Sequence, residues 1–172
     1  FPVQIMLDQI LSDMGRIDIL VNHAFVQPQA ALLDFDEWGW RRTMDVNLNG
    51  AFFLTQSVGK SMVGQGDGVI VHIAGMGPVE VGGGKTAYAA SKAGLIGLAR
   101  AAAQELAEYR VRVHAICPWA SSAAQDLPDT GGSSDGSIVD LVLFLCSRSA
   151  SNLSGLVIDT PLTGLPGKSS IG

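Results

Sequence analysis

A chain of 172 residues, 47% hydrophobic with a formal net charge of −5, is long enough for one domain with a sizeable core. Its acidic balance and lack of a basic stripe argue against a nucleic-acid partner. No apolar run approaches the roughly 18 residues that a membrane span needs, so no membrane association is expected.

The first eight residues, Phe1 to Asp8, carry no basic segment and do not read as a secretory signal. With no initiator Met, the chain is expected to begin inside a longer gene product. Residues 3–14 place Val3, Ile5, Met6, Leu7, Ile10, Leu11 and Met14 at close to helical period, with Gly15 as the stop. The apolar run 17–21 predicts a strand covered on both faces. A loop over 22–33 leads to Asp34 or Asp36 as helix cap, and the helix runs through Trp38, Met44 and Val46 to about Lys60. Asn47 and Asn49 fall inside it, where Asn is unfavourable; Asn47 marks a kink, an exposed polar side chain, or a side chain or distorted backbone aimed at a site.

A turn at 64–68 precedes a second buried strand, 69–74. The loop 75–84 opens Gly-x-Gly, but Glu80 stands at the third glycine position, and Pro78 and three glycines separate it from the next helix. It is therefore not a dinucleotide fingerprint. The following helix, to Glu108, is rich in Ala and Gly, which permits close helix approach. A third strand spans 111–117 and ends at Pro118, and 119–136 is a long polar loop. A short helix over 138–146, a fourth strand over 156–159 and an irregular tail over 160–172 complete the chain. Cys117 and Cys146 read as small buried hydrophobes of a cytoplasmic protein, and the three histidines and two cysteines show no metal-ligand spacing. Strands alternating with helices in a single domain, 1–172, predict an α/β architecture with a doubly wound parallel sheet.

Tyr88 and Lys92 stand four residues apart, on one helix face. An ammonium beside a phenol favours the phenolate and lowers the tyrosine pKa from about 10. A phenol so tuned can donate or accept a proton near neutral pH.

Five segments in order resemble the short-chain dehydrogenase/reductase family over nearly the whole chain: Ile17 to Ala24, Asp45 to Gly50, Tyr88 to Lys92 with the Ala-Gly-Leu after it, Arg112 to Pro118, and Leu141 to Leu145 with Leu153-Ser154-Gly155. The resemblance implies a partial Rossmann-like fold holding family strands 4-5-6-7, with the first β-α-β part and its Gly-rich cofactor loop absent. At about 30 residues per βαβ unit, on the order of 60–80 residues are expected upstream, and the strand over 17–22 becomes an apolar edge. It implies an NAD(P)-dependent oxidoreductase, with NAD or NADP as cofactor, transferring hydride between a nicotinamide and a small-molecule carbonyl/alcohol pair. Tyr88 would be the general acid or base. Lys92 would depress the Tyr88 pKa and hold the ribose hydroxyls, and Asn47 would anchor a water in a proton relay. Asn22, Ala24, Tyr88, Lys92 and Pro118 would border the cofactor. A homo-oligomer through the helices over 48–60 and 87–108 is also implied.

The chain departs from the family pattern at named positions. Gly75, thirteen residues before Tyr88, stands where the family has its catalytic Ser, and the loss of such a donor costs roughly 10²–10³ in rate. Met76 or loop N–H groups are possible partial substitutes. Phe25 and Trp119 replace glycines beside the cofactor, and Trp119 is the harder change. His23, His72 and His114 stand where the family has Asn, and they read as satisfied hydrogen-bonding groups. An impaired enzyme is expected. The alternative is an inactive oligomerisation or binding module of the same family.

Overall fold

The computed structural model describes residues 2–75, 83–120 and 134–162. Helix α1 (Pro2–Met14) ends as expected at Gly15, whose N–H donates to the Leu11 carbonyl at 2.9 Å with φ at +78°. Four strands, β1 (Ile19–Asn22), β2 (Gly68–Ile73), β3 (Val111–Ala120) and β4 (Val157–Leu162), form one parallel sheet in the order β1-β2-β3-β4. Helices α2 (Glu37–Met44) and α3 (Gly50–Gln65) connect β1 to β2, α4 (Thr86–Leu106) connects β2 to β3, and α5 (Ser134–Cys146) connects β3 to β4. The doubly wound α/β layer expected from the sequence is the architecture found.

Each face of the sheet has its own core. Leu20, Ile70, Val111, Val113 and Ala115 pack with Leu7 of α1, Val58 and Met62 of α3, and Ala99 and Ala103 of α4. Val69, Val71, Ile73 and Ile116 pack against Leu141, Val142 and Leu145 of α5. Full burial of side chains such as Ile70 and Leu145 contributes about 1.5–3 kcal/mol each.

The structure corrects several sequence expectations. Strand β1 is not covered on both faces: Leu20 and Asn22 turn towards α3, whereas Ile19 and Val21 are 48% and 45% exposed. The strand is at the sheet edge, and α5 packs on β2, β3 and β4. Nor does Pro118 end β3, which continues to Ala120. Ala115 donates to Leu156 on the β4 side, whereas the Ile116 carbonyl accepts from Ala74 on the β2 side. By alternation the missing N–H of Pro118 faces the β2 side beyond the last β2 residue, so no ladder bond is lost.

The helix expected from Asp34 or Asp36 is capped by Asp36, whose carboxylate accepts the Gly39 N–H at 2.6 Å. It extends to Gln65 and is interrupted by one π-helical turn, Asp45–Asn49. The fourth strand starts one residue later than expected and runs to Leu162, and α5 begins at Ser134 rather than 138. Most of the loop over 75–84, most of that over 119–136, and the end of the tail lie outside the described residues, as do Met76 and the Trp119 side chain.

Candidate active site

The π turn is the first device that builds the site. A single wide turn inside an α-helix re-aims the side chain it carries, and here it carries Asn47 into the interior, fully buried. The Asn47 Oδ1 accepts from the Val26 N–H at 2.8 Å. Its Nδ2 donates to the Val26 carbonyl at 2.9 Å and to Ser91 Oγ at 3.0 Å. Of the sequence alternatives, a buried side chain on distorted backbone is the one found. The amide fastens the loop after β1, and Ser91 passes the connection on by donating to the Tyr88 carbonyl at 2.8 Å.

The second device is the start of α4, where Tyr88 and Lys92 lie one turn apart. The Tyr88 hydroxyl donates to the Gly75 carbonyl at 2.9 Å. Gly75 adopts φ of +64°, and a Cβ there would lie 2.7 Å from the Tyr88 oxygen. Only a residue without a side chain fits that turn in this conformation. Lys92 is 1% exposed, and its ammonium donates to the Ile73 carbonyl at 3.0 Å. The Phe25 ring closes the group: its centroid is 5.3 Å from Lys92 Nζ and 6.2 Å, edge to face, from the Tyr88 ring.

The expected lowering of the Tyr88 pKa is not what the geometry produces. Burial raises the phenol above its ordinary value. Lys92 is pushed down to about 8 by burial, with nearby Cys117 acting the other way. The ammonium is 5.6 Å from the Tyr88 ring centroid and spends its bond on a backbone carbonyl. Desolvation therefore outweighs the pairing that the spacing suggested.

Of the sequence candidates, Tyr88, Lys92, Asn47 and Gly75 converge at the C-terminal end of β2. Asn22 closes β1, its Oδ1 accepting from the Ala24 N–H at 3.3 Å, and Pro118 pairs with Thr160 beside them in β3. Phe25, in a loop without periodicity, has a larger place than the sequence indicated. Ser91 was overlooked, although its i+3 spacing from Tyr88 was visible. His72 is satisfied as expected. His114 is not: both ring nitrogens are buried without a hydrogen-bond partner among the described residues.

Residues 2–126 match the family model described as short chain dehydrogenase. The chain belongs to the short-chain dehydrogenase family. It is 33% identical over 167 residues to the 3-oxoacyl-[acyl-carrier-protein] reductase FabG of Thermotoga maritima, an alignment that covers 89% of this chain and 68% of that protein. It is 33% identical over 161 residues to the NAD-dependent glycerol dehydrogenase of Listeria innocua, covering 84% of this chain and 63% of that one. Among solved structures, acetoin dehydrogenase YohF from Salmonella typhimurium superposes with a TM-score of 0.77 at 27% identity, over 91% of this chain and 68% of that one. The family is one of oxidoreductases, and its members use NAD or NADP. Among the described residues, no helix of this short-chain dehydrogenase is long and apolar enough to cross a membrane.

Proposed function

We propose that this chain supplies the substrate side of an NAD(P)-dependent carbonyl/alcohol oxidoreductase site, and that the site as built is impaired. The observation that carries the reading is the contact between Tyr88 and Gly75. In this reading the phenol passes a proton to a substrate oxygen, yet its partner is the backbone carbonyl of Gly75, which stands at the position of the family Ser. A carbonyl accepts and cannot donate, so it cannot replace the Ser hydroxyl in stabilising charge on the substrate oxygen. With its pKa raised by burial, Tyr88 holds its proton at neutral pH, which suits it to protonate a carbonyl oxygen during reduction.

The residues present suit the nicotinamide-ribose half of the cofactor. Lys92 carries three ammonium protons with one described acceptor, Ile73, so donors remain for ribose hydroxyls. Asn22, Ala24 and Pro118 would border the ring. The chain's own sequence offers no Gly-rich turn for the pyrophosphate. When bound, the nicotinamide supplies or accepts hydride. Reductases and dehydrogenases named for 3-oxoacyl, glycerol and acetoin substrates among the relatives support a small carbonyl or alcohol as the substrate class.

A second reading has its own observation. Phe52 and Phe53 of α3 are each more than 40% exposed, and a groove of about 450 Å³ lined by Phe52, Val63, Leu98, Leu106 and Tyr109 runs between α3 and α4. An inactive module that self-associates through these helices would use that surface, and an impaired enzyme would use it equally.

Calorimetric titration of the purified chain with NADH and NADPH tests the proposal. Saturable micromolar binding, with slow NAD(P)H oxidation that Tyr88→Phe abolishes, supports the impaired enzyme. Absence of binding up to millimolar cofactor, with a dimer in sedimentation, favours the module.

A further inference from the structure

His72 is fully buried in β2 and sits between two side chains from different elements. Its Nδ1 lies 3.2 Å from the Asn22 amide nitrogen, and its Nε2 lies 3.1 Å from Thr55 Oγ1. The protons in this group can be assigned by counting. The single hydroxyl proton of Thr55 is committed to the Ala51 carbonyl at 2.7 Å, so Thr55 can only accept from His72, and Nε2 must carry hydrogen. The Asn22 amide nitrogen can only donate, so Nδ1 must be bare. Rotating the Asn22 amide by half a turn would set an NH₂ group against the Ala24 N–H, which now donates to Asn22 Oδ1 at 3.3 Å.

Four hydrogen bonds therefore run in one direction: Ala24 N–H to Asn22, Asn22 to His72, His72 to Thr55, and Thr55 to Ala51. Aligned donors of this kind polarise one another, and every member depends on the next. We propose that His72, held as a neutral imidazole with its proton on Nε2, is a positioning residue that orients Asn22 and, through it, the backbone at Ala24. Its consequence for cofactor binding rests on the functional reading above, in which Asn22 and Ala24 border the nicotinamide. In this role the ring acts through Asn22.

The charge environment agrees. A protonated ring would present a second N–H to the Asn22 amide donor, and Lys92 is the charged neighbour that disfavours it. Burial, aided by Lys92, holds the ring's pKa down to about 4.

Nitrogen-15 NMR of the histidine-labelled chain decides the matter without reference to activity. At neutral pH, His72 is expected to show a bare Nδ1 and a protonated Nε2. A ring protonated on both nitrogens, or the reverse tautomer, overturns the proposal. Thr55→Val, nearly isosteric, removes the acceptor on α3. It is expected to shift the ring towards Nδ1–H, turn the Asn22 amide and displace the Ala24 amide resonance, although Ala24 is linked to Thr55 only through Asn22 and His72 in this series. An unmoved Ala24 resonance in a folded Thr55→Val chain also overturns it. If the unsubstituted chain binds NADH, Thr55→Val is expected to weaken that binding roughly 2- to 12-fold, the equivalent of one hydrogen bond. If it does not bind, the cofactor reading fails while the two resonance measurements still decide the relay.

Discussion

The two faces of the sheet each bury one histidine completely and treat it in opposite ways. His72 in β2 faces α3 and has both nitrogens hydrogen-bonded. His114 in β3 lies, by strand alternation, on the α5 side with Ile116, and neither of its nitrogens has a partner among the described residues. Both rings are driven to about 4, by burial first and then by Lys92 in one case and Arg112 in the other. Burial and charge state are therefore alike, and only the neighbours differ. One side offers Thr55 and Asn22; the other offers Val69, Val71, Ile116 and Leu145, while Arg112 spends its Nη1 on the Leu145 and Ala150 carbonyls. A buried polar ring without partners costs about 1–3 kcal/mol. The α3 side has turned a histidine into a connector, and the α5 side tolerates one as a cost.

The largest expected effect separates chemistry from scaffold on the connected side. Tyr88→Phe should lower any NAD(P)H-dependent turnover by about 10²–10⁴-fold, the usual worth of a general acid. Its melting temperature should change little, because one bond to Gly75 is lost. A large drop in stability together with lost turnover would show that the phenol belongs to the scaffold instead.

Acid comes next, because it acts on both histidines together. The unfolded chain takes up protons near 6.5, whereas each folded ring refuses them until about 4. The unfolded state therefore binds more protons between these values, and stability is full above pH 6.5 and falls as pH drops towards 4. Urea unfolding across this window should become flatter when both rings are replaced by Leu. An unchanged slope would mean that other groups carry the dependence.

Singly, the two replacements should differ in sign. His72→Leu strands the Asn22 amide and is expected to destabilise by about 1–3 kcal/mol. His114→Leu removes an unpaired ring and should be neutral or stabilising by about 1 kcal/mol, since replacing an unsatisfied polar group by an apolar one of similar shape gains its desolvation cost. Equal losses in both would erase the comparison.

Why the sequence disclosed one part of this and not another follows from what each feature depends on. The existence of β2 and β3 was legible because apolar, β-branched stretches depend on their own residues. The Tyr88–Lys92 pair was legible because helical spacing alone aligns it. The coverage of β1 was not, since it depends on which helix reaches the sheet edge. The continuation of β3 past Pro118 depends on where β2 stops. The pKa of Tyr88 was misjudged because spacing reveals the neighbour and hides the burial. His72 and His114 look alike in sequence, and their difference comes from Thr55 and Asn22, which the fold brings across from a separate helix and a neighbouring strand.

The last expected effect is a difference between two glycines, and it concerns Gly75, at the end of the connected face. Gly15 also has a positive φ, +78°, but a Cβ there would meet nothing within 4 Å. Gly15→Ser should therefore cost only the left-handed conformation, about 1–2 kcal/mol. Gly75→Ser bears the same cost, and its Cβ would also press on the Tyr88 oxygen at 2.7 Å. The difference between the two variants in urea unfolding thus isolates the Tyr88 contact. Reinstating the family Ser should raise turnover by less than the roughly 10²–10³ that such a donor is worth, because the loop must first leave its positive φ. Equal costs at the two glycines would mean that Tyr88 moves aside freely. The positive φ alone would then limit the recovery of rate.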